Sequence, residues 1–265
     1  MEMDWRAAGF LTLVLIAISL PLLHAQQAHS PAQDLLNVLP SALNVHAAAL
    51  GRRVAVPGSE RTVYSCFLVS DEVGKTPLRI AVQLPNLVRV DGFRPNAPPV
   101  VFDGKNPVYP AGSIEGQLVE IFSSDTPEGM LAAIKDGAAA RLLGRRVLLT
   151  GEGSANTQRA DIFEVALPVL SNPSGRDRLK RYYFDSETGL LVKTEYLDEL
   201  FSPPISVEVL FAGWITQNGS TYPKQIDRNE NGRSVFSLTL SSIDALPRQD
   251  PAIFATPAQA GLQEE

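Results

Sequence analysis

Apolar and polar positions alternate with a period of two through most of the second half of the chain. From Arg146 onward, RRVLLTG, ADIFEVAL, LKRYYFD, LLVKTEYL, ISVEVLFAGW, TYPKQIDR and RSVFSLTLSSI follow one another at hairpin spacing. Each has the length of a strand and is bounded by turn residues. In the last of them Phe236, Leu238 and Leu240 share one face, and Ser237 and Thr239 the other. This succession predicts an antiparallel meander that curls toward a barrel. Nearer the start, RTVYSCFLVS sets Val63, Ser65, Phe67 and Val69 against Tyr64, Cys66 and Leu68. LRIAVQL and PPVVFDG follow as two further short strands.

Helical spacing occurs in two places. DLLNVLPSALNVHAAALG opens at Asp34 and spaces Leu35, Leu36, Leu39, Leu43 and Leu50 along one face. Pro40 kinks or divides that helix, and Gly51 suits its left-handed cap. In the middle of the chain, QLVEIFSS and TPEGMLAAIKDGAAARLLG read as two more helices. Asp125 and Glu128 have capping-box spacing, and Pro127 falls where a first turn tolerates it. Gly129 and Gly137 cost this second helix up to ~1 kcal/mol each relative to alanine. It therefore relies on packing, and its small residues permit close approach or movement.

The amino terminus belongs to targeting rather than to the fold. Phe10–Leu23 is an apolar run too short for a comfortable membrane span and suited to a signal-peptide core. Leu23-His24-Ala25 then offers a cleavage site before Gln26. Arg6 is offset by Glu2 and Asp4, so an uncleaved amino-terminal anchor is the alternative. The expected organisation is a signal peptide over 1–25, a flexible leader over 26–33, one domain over 34–257 and a disordered tail over 258–265. Export implies a periplasmic or secreted protein. The single cysteine, Cys66, makes no internal disulfide and reads as a small buried apolar residue. Stability must then come from the core, which a chain of this size can supply.

Composition narrows the function. A net charge of −6 in 265 residues argues against a broad phosphate-binding surface, and no run of like charge suggests a nucleic-acid arm or a polybasic membrane anchor. DSETG, with Asp185, Glu187, Thr188 and Gly189, is a hairpin turn before it is a carboxylate pair. DRNENG offers oxygens at Asp227, Asn229 and Asn231, but the twelfth position of a calcium loop is Leu238, and Asn231-Gly232 is a strong hairpin signal. Asn218-Gly219-Ser220 reads as another turn. GEGSAN lacks the third glycine of a dinucleotide fingerprint, and no nucleophile elbow or H-E-x-x-H occurs. His24 and His29 fall in the signal and leader, leaving His46 alone in the domain. The chain is read as non-catalytic, with no metal and no cofactor.

VVFDG (Val100–Gly104), RYYFDSETGLLVKTEY, VEVLFAGWITQNGSTYPKQIDR and the closing SVFSLTLSSIDALPRQDPAIFATP together resemble the LolA-like outer-membrane lipoprotein carrier superfamily, in a divergent exported branch. The likeness spans about residues 34–257, in turn-and-strand features, and residues 92–115 depart from the compact carrier pattern. The resemblance implies an α+β fold: a curved, unclosed, barrel-like antiparallel sheet with helices over its concave face. It further implies a non-catalytic carrier whose apolar cavity takes a lipid, a lipoprotein acyl chain or another apolar ligand, with transient membrane contact. Leu118, Ile121, Phe122, Met130, Leu131 and Ile134 would line that cavity from the helices, and Phe236, Leu238 and Leu240 from the sheet. The plainer alternative is that these nine fill a core. An envelope protein-interaction or sensor module on the same fold is the second functional expectation.

Overall fold

The computed structural model describes residues 60–83, 87–92, 98–104, 112–148, 158–167 and 177–254. The expected signal, leader and tail, and the helix expected from Asp34 to Gly51 with its His46, lie outside the described residues. Four strands come first: β1 (Glu60–Ser70), β2 (Gly74–Gln83), β3 (Leu87–Asp91) and β4 (Val100–Phe102). Helix α1 (Ile114–Glu120), a π-helical turn (Ile121–Asp125) and helix α2 (Pro127–Lys135) follow. The chain then returns to strands β5 (Ala140–Leu148), β6 (Arg159–Leu167), β7 (Arg178–Asp185), β8 (Leu191–Asp198) and β9 (Ile205–Ala212). A small hairpin, β10 (Ile215–Gln217) with β11 (Ser220–Tyr222), precedes β12 (Gln225–Glu230) and β13 (Arg233–Pro247). A 3-10 turn, Pro251–Phe254, ends the described chain.

Eleven strands form one antiparallel sheet in the order β4-β3-β2-β1-β13-β12-β9-β8-β7-β6-β5. The sheet is curved and unclosed, and the helices cover its concave face. Register shifts at Ser65/Cys66, Tyr183/Phe184 and Arg228/Asn229 help explain the bend, since a bulge adds local twist. β13 joins the halves, pairing with β1 on one side and β12 on the other.

Strand parity decides the faces. Tyr64, Cys66 and Leu68 of β1 are buried with Leu78 and Ile80 of β2 in the main core. On the opposite face, Val63 and Ala81 pack under Phe254, while Phe67 and Val69 are exposed. Phe236, Leu238 and Leu240 alternate into the core as their spacing implies.

The hairpin readings hold. Asp185 Oδ1 accepts from the backbone N–H of Glu187 at 2.9 Å and of Thr188 at 2.7 Å. Asn231 and Gly232 both have positive φ between β12 and β13. Two readings in the helical region need correction. Helix α2 ends at Lys135, and ARLLG belongs to strand β5. Gly137, at φ +99°, closes the helix: its N–H donates to the Ile134 carbonyl, and that of Ala138 to Ala133. This paired left-handed cap stops the helix before the alanine run can extend it. The amino-terminal cap of α2 is Thr126 rather than Asp125, with Thr126 Oγ1 accepting from Gly129 N at 3.3 Å. Asp125 is engaged elsewhere.

Candidate functional site

The nine expected lining residues all enter one apolar cluster between the helices and the sheet. All are buried, the most exposed being Leu131 at 8%. Tyr64 meets Phe122 from the helical segment and Tyr222 from β11, at ring-centre separations of 5.0 and 6.0 Å. Side chains of this chain therefore occupy the seat beneath the helices. Gly129 explains how closely α2 approaches the π turn: a Cβ there would overlap the carbonyl oxygen of Ser123. The small residue serves close approach.

A buried charged knot lies beside this apolar seat. Lys180 of β7, 2% exposed, donates to Glu120 Oε1 at 3.0 Å, to Ser124 Oγ at 2.9 Å and to Asp125 Oδ1. Arg178, two residues earlier on the same face, bonds Glu120 and reaches Asp198 Oδ1 at 2.9 Å. Arg228 of β12 donates to Tyr196 Oη at 2.9 Å and to Glu230 Oε1 at 3.0 Å. Tyr196 Oη in turn donates to Glu120 Oε2 at 2.8 Å. The Lys180 ammonium also stands 4.1 Å from the centre of the Tyr196 ring, a favourable placement for a cation.

The π turn presents backbone as well as side chains to the sheet. Tyr182 Oη donates to the Ser124 carbonyl at 2.7 Å, and Thr194 Oγ1 to that of Asp125 at 3.0 Å. A π-helical turn disturbs the regular ladder of backbone bonds and frees carbonyls for such partners. Two strands, β7 and β8, thus hold one five-residue turn, while β12 reaches Glu120 of α1 through Arg228.

The electrostatics follow from burial and neighbours. Burial alone would raise the Glu120 carboxyl, but Lys180, Arg178 and Arg228 outweigh it and hold it down at about 2. Burial dominates at Asp125 and raises its pKa, with Glu120 adding to the effect against Lys180. Its Oδ2 has no hydrogen-bond partner among the described residues. Burial pushes the Cys66 thiol up to about 12, so it stays protonated and a weak nucleophile. Among the described residues no group of three or more His, Cys, Asp or Glu is placed to hold a metal.

The nine expected positions fall in this apolar cluster, and sequence reasoning missed the knot. The signal was present as charge on the buried parity: Lys180 shares its face with Tyr182 and Phe184, and Arg228 shares its face with Ile226. A groove of about 520 Å³ opens at the end of β7–β9, where Leu179, Leu197 and Leu200 lie beside Arg178 and Tyr196. None of the nine expected residues lines it.

No family model and no curated protein sequence matches this chain. Solved structures do. A LolA superfamily protein from Nitrosomonas europaea superposes with a TM-score of 0.52 at 12% identity, over 82% of this chain and 98% of its own. A DUF1329 family protein from Desulfovibrio piger gives 0.51 at 9% identity, over 86% of this chain and 99% of its own. At such identities the likeness speaks for the fold alone. The chain has a divergent LolA-like fold.

Proposed function

We propose that this protein is an exported, non-catalytic carrier that binds a lipid, a lipoprotein acyl chain or a similar apolar ligand between its helices and the concave face of its sheet. One observation carries the reading. The helical cover rests on a broad apolar seat, and its polar attachment to strands β7 and β8 gathers at the π turn and the adjacent Glu120. Apolar packing is non-directional, so an acyl chain can replace the side chains of α1 and α2 against Phe236, Leu238 and Leu240. The closed state has the seat filled by Leu118, Ile121, Phe122, Met130, Leu131 and Ile134. Burying an acyl chain gains ~0.8 kcal/mol per methylene, so a dozen carbons supply roughly micromolar affinity or better after ordering costs. Localisation in the periplasm or outside the cell, and transient membrane contact at loading, belong to this reading.

Native mass spectrometry of the protein purified from its own envelope tests it. The expected spectrum carries a co-purifying lipid, and the delipidated protein takes up a fluorescent fatty acid. Leu238→Trp, which puts a larger side chain where the acyl chain would lie, reduces uptake severalfold, whereas Leu142→Trp on the exposed edge strand leaves it unchanged. A ligand-free spectrum together with no uptake defeats the proposal.

The exposed apolar groove at the end of β7–β9 favours a second reading, an envelope protein-interaction module. Leu179 and Leu197 are 53% and 49% exposed there, as a docking surface requires. Crosslinking in the periplasm that recovers one stoichiometric protein without lipid would select it.

A further inference from the structure

The back of the sheet divides into two electrostatic halves. Across β5–β8 opposite charges alternate from strand to strand. Arg141 donates to Glu164 at 2.8 Å, Arg181 to Glu164 at 3.2 Å, and Arg181 to Glu195 at 3.4 Å. Lys193 completes the ladder on Glu195 at 2.7 Å. Every base in that row has an acid beside it.

Across β1–β3 the arrangement is different. Arg61, Arg79 and Arg89 surround a cavity of about 320 Å³ whose floor is Val63 and Ala81. Pairing register explains the convergence: Val63, Ala81 and Arg89 form one row, Arg61 and Gln83 the row on one side, Ser65, Arg79 and Asp91 the row on the other. The small side chain of Ala81 at the centre leaves the space open. Asp91 lies directly across from Arg79, yet its carboxylate is taken by Arg89, with Nε and Nη2 at 3.0 and 2.9 Å. Arg89 is further fixed by donating to the Ile253 carbonyl at 2.9 Å.

Two guanidinium groups are left without a counter-charge among the described residues. Arg61 Nη1 donates to the neutral Gln249 side chain, and its buried Nε has no partner among the described residues. Arg79 makes no hydrogen bond or ion pair among the described residues. Asp244, one strand beyond Val63, forms no ion pair with either. Burial, and after it the neighbouring charges of Arg79 and Arg89, lowers the pKa of Arg61. Gln83 clamps the wall of the cavity by accepting from Gln249 N at 2.8 Å and donating to its carbonyl at 3.0 Å.

We propose that this cavity is a binding site for a phosphate group, held by the Arg61 and Arg79 guanidinium groups, with Arg89 locked in place by Asp91 and the carboxy-terminal turn. Planar guanidinium forks match the oxygens of a phosphate and bond it in pairs. The cavity exceeds a bare phosphate, so the group arrives either free or as the headgroup of an anionic lipid. The site lies on the opposite face of the sheet from the apolar seat and does not depend on the carrier reading.

Isothermal titration of the whole protein with inorganic phosphate, and co-sedimentation with phosphatidylglycerol against phosphatidylcholine vesicles, test the proposal together. Heat with phosphate alone identifies a free ligand, and selective sedimentation with phosphatidylglycerol identifies a headgroup. Either supports the site if Arg79→Gln weakens it about tenfold, the usual scale for losing one charge-assisted pair. Asp91→Asn, which adds net positive charge, tightens binding in the same assays. If the wild-type protein binds neither probe, or Arg79→Gln binds as well as wild type, the site does not exist.

Discussion

The two faces of the sheet treat positive charge in opposite ways. On the concave face Arg178, Lys180 and Arg228 are nearly inaccessible, with side chains 10%, 2% and 2% exposed, and each is bonded to acids. On the back, Arg79 is exposed and Arg61 half-buried, and neither has an acid partner among the described residues. A buried cation must be paired because desolvation would otherwise cost several kcal/mol. A solvated one need not be. Pairing under the helices therefore reflects folding, whereas clustering without pairing on the back has no structural reward and calls for a ligand.

The largest expected effect follows from breaking the buried side of this contrast. Lys180→Ala leaves Asp125 and Glu120 enclosed with a partner missing, and should cost about 3–5 kcal/mol in urea unfolding. The double replacement Lys180→Met with Asp125→Leu should cost much less, because no charge is stranded. If the single and double variants are equally stable, the knot is not what seats the π turn. Lys180→Ala should also speed fatty-acid uptake if the turn must lift for entry.

Acid should act on the same knot. Glu120 is held at about 2 against an ordinary value of 4.5, so its folded pKa is depressed. Its contribution is complete above the ordinary value and is lost as pH falls from about 4.5 toward 2. The shift corresponds to about 3 kcal/mol at most. Asp125 works against it: its pKa is raised, so protonation favours the folded form and its unfavourable contribution develops as pH rises. Glu120→Gln should flatten the acid limb of a stability–pH curve. An unchanged limb would mean that Glu120 is not ionised in the knot.

How much of this was legible in the sequence depends on whether a feature is local. Period-two alternation placed Phe236, Leu238 and Leu240 on the buried face, because each strand records its own facing. Asn231-Gly232 and Asp185 announced their turns, because those bonds close within a few residues. Asp125 was misread as a helix cap for the complementary reason. Its partner Lys180 lies 55 residues away, and no local spacing reports such a meeting. The extent of α2 was overestimated because Ala138–Ala140 favours helix while the left-handed Gly137 ends it first. The arginine cavity was invisible too. Arg61, Arg79 and Arg89 come from three strands, and only their register brings them to three adjacent rows around Ala81.

The smallest effect should come from the back of the sheet, and its sign is what matters. Arg79 contributes no bond to the fold among the described residues, and its charge lowers the pKa of Arg61. Arg79→Gln should therefore leave stability within about 0.5 kcal/mol of wild type. At low ionic strength it should raise the melting temperature slightly, by relieving repulsion. Added salt should erase that gain, since the Debye length falls to about 8 Å at physiological ionic strength. Phosphate should reverse the order, stabilising the wild-type protein more than the variant. A loss above 1 kcal/mol without phosphate would show Arg79 to be structural, like its counterparts across the sheet, and the contrast between the faces would collapse. A small gain that salt removes and phosphate inverts would separate a charge kept for the fold from one kept for a guest.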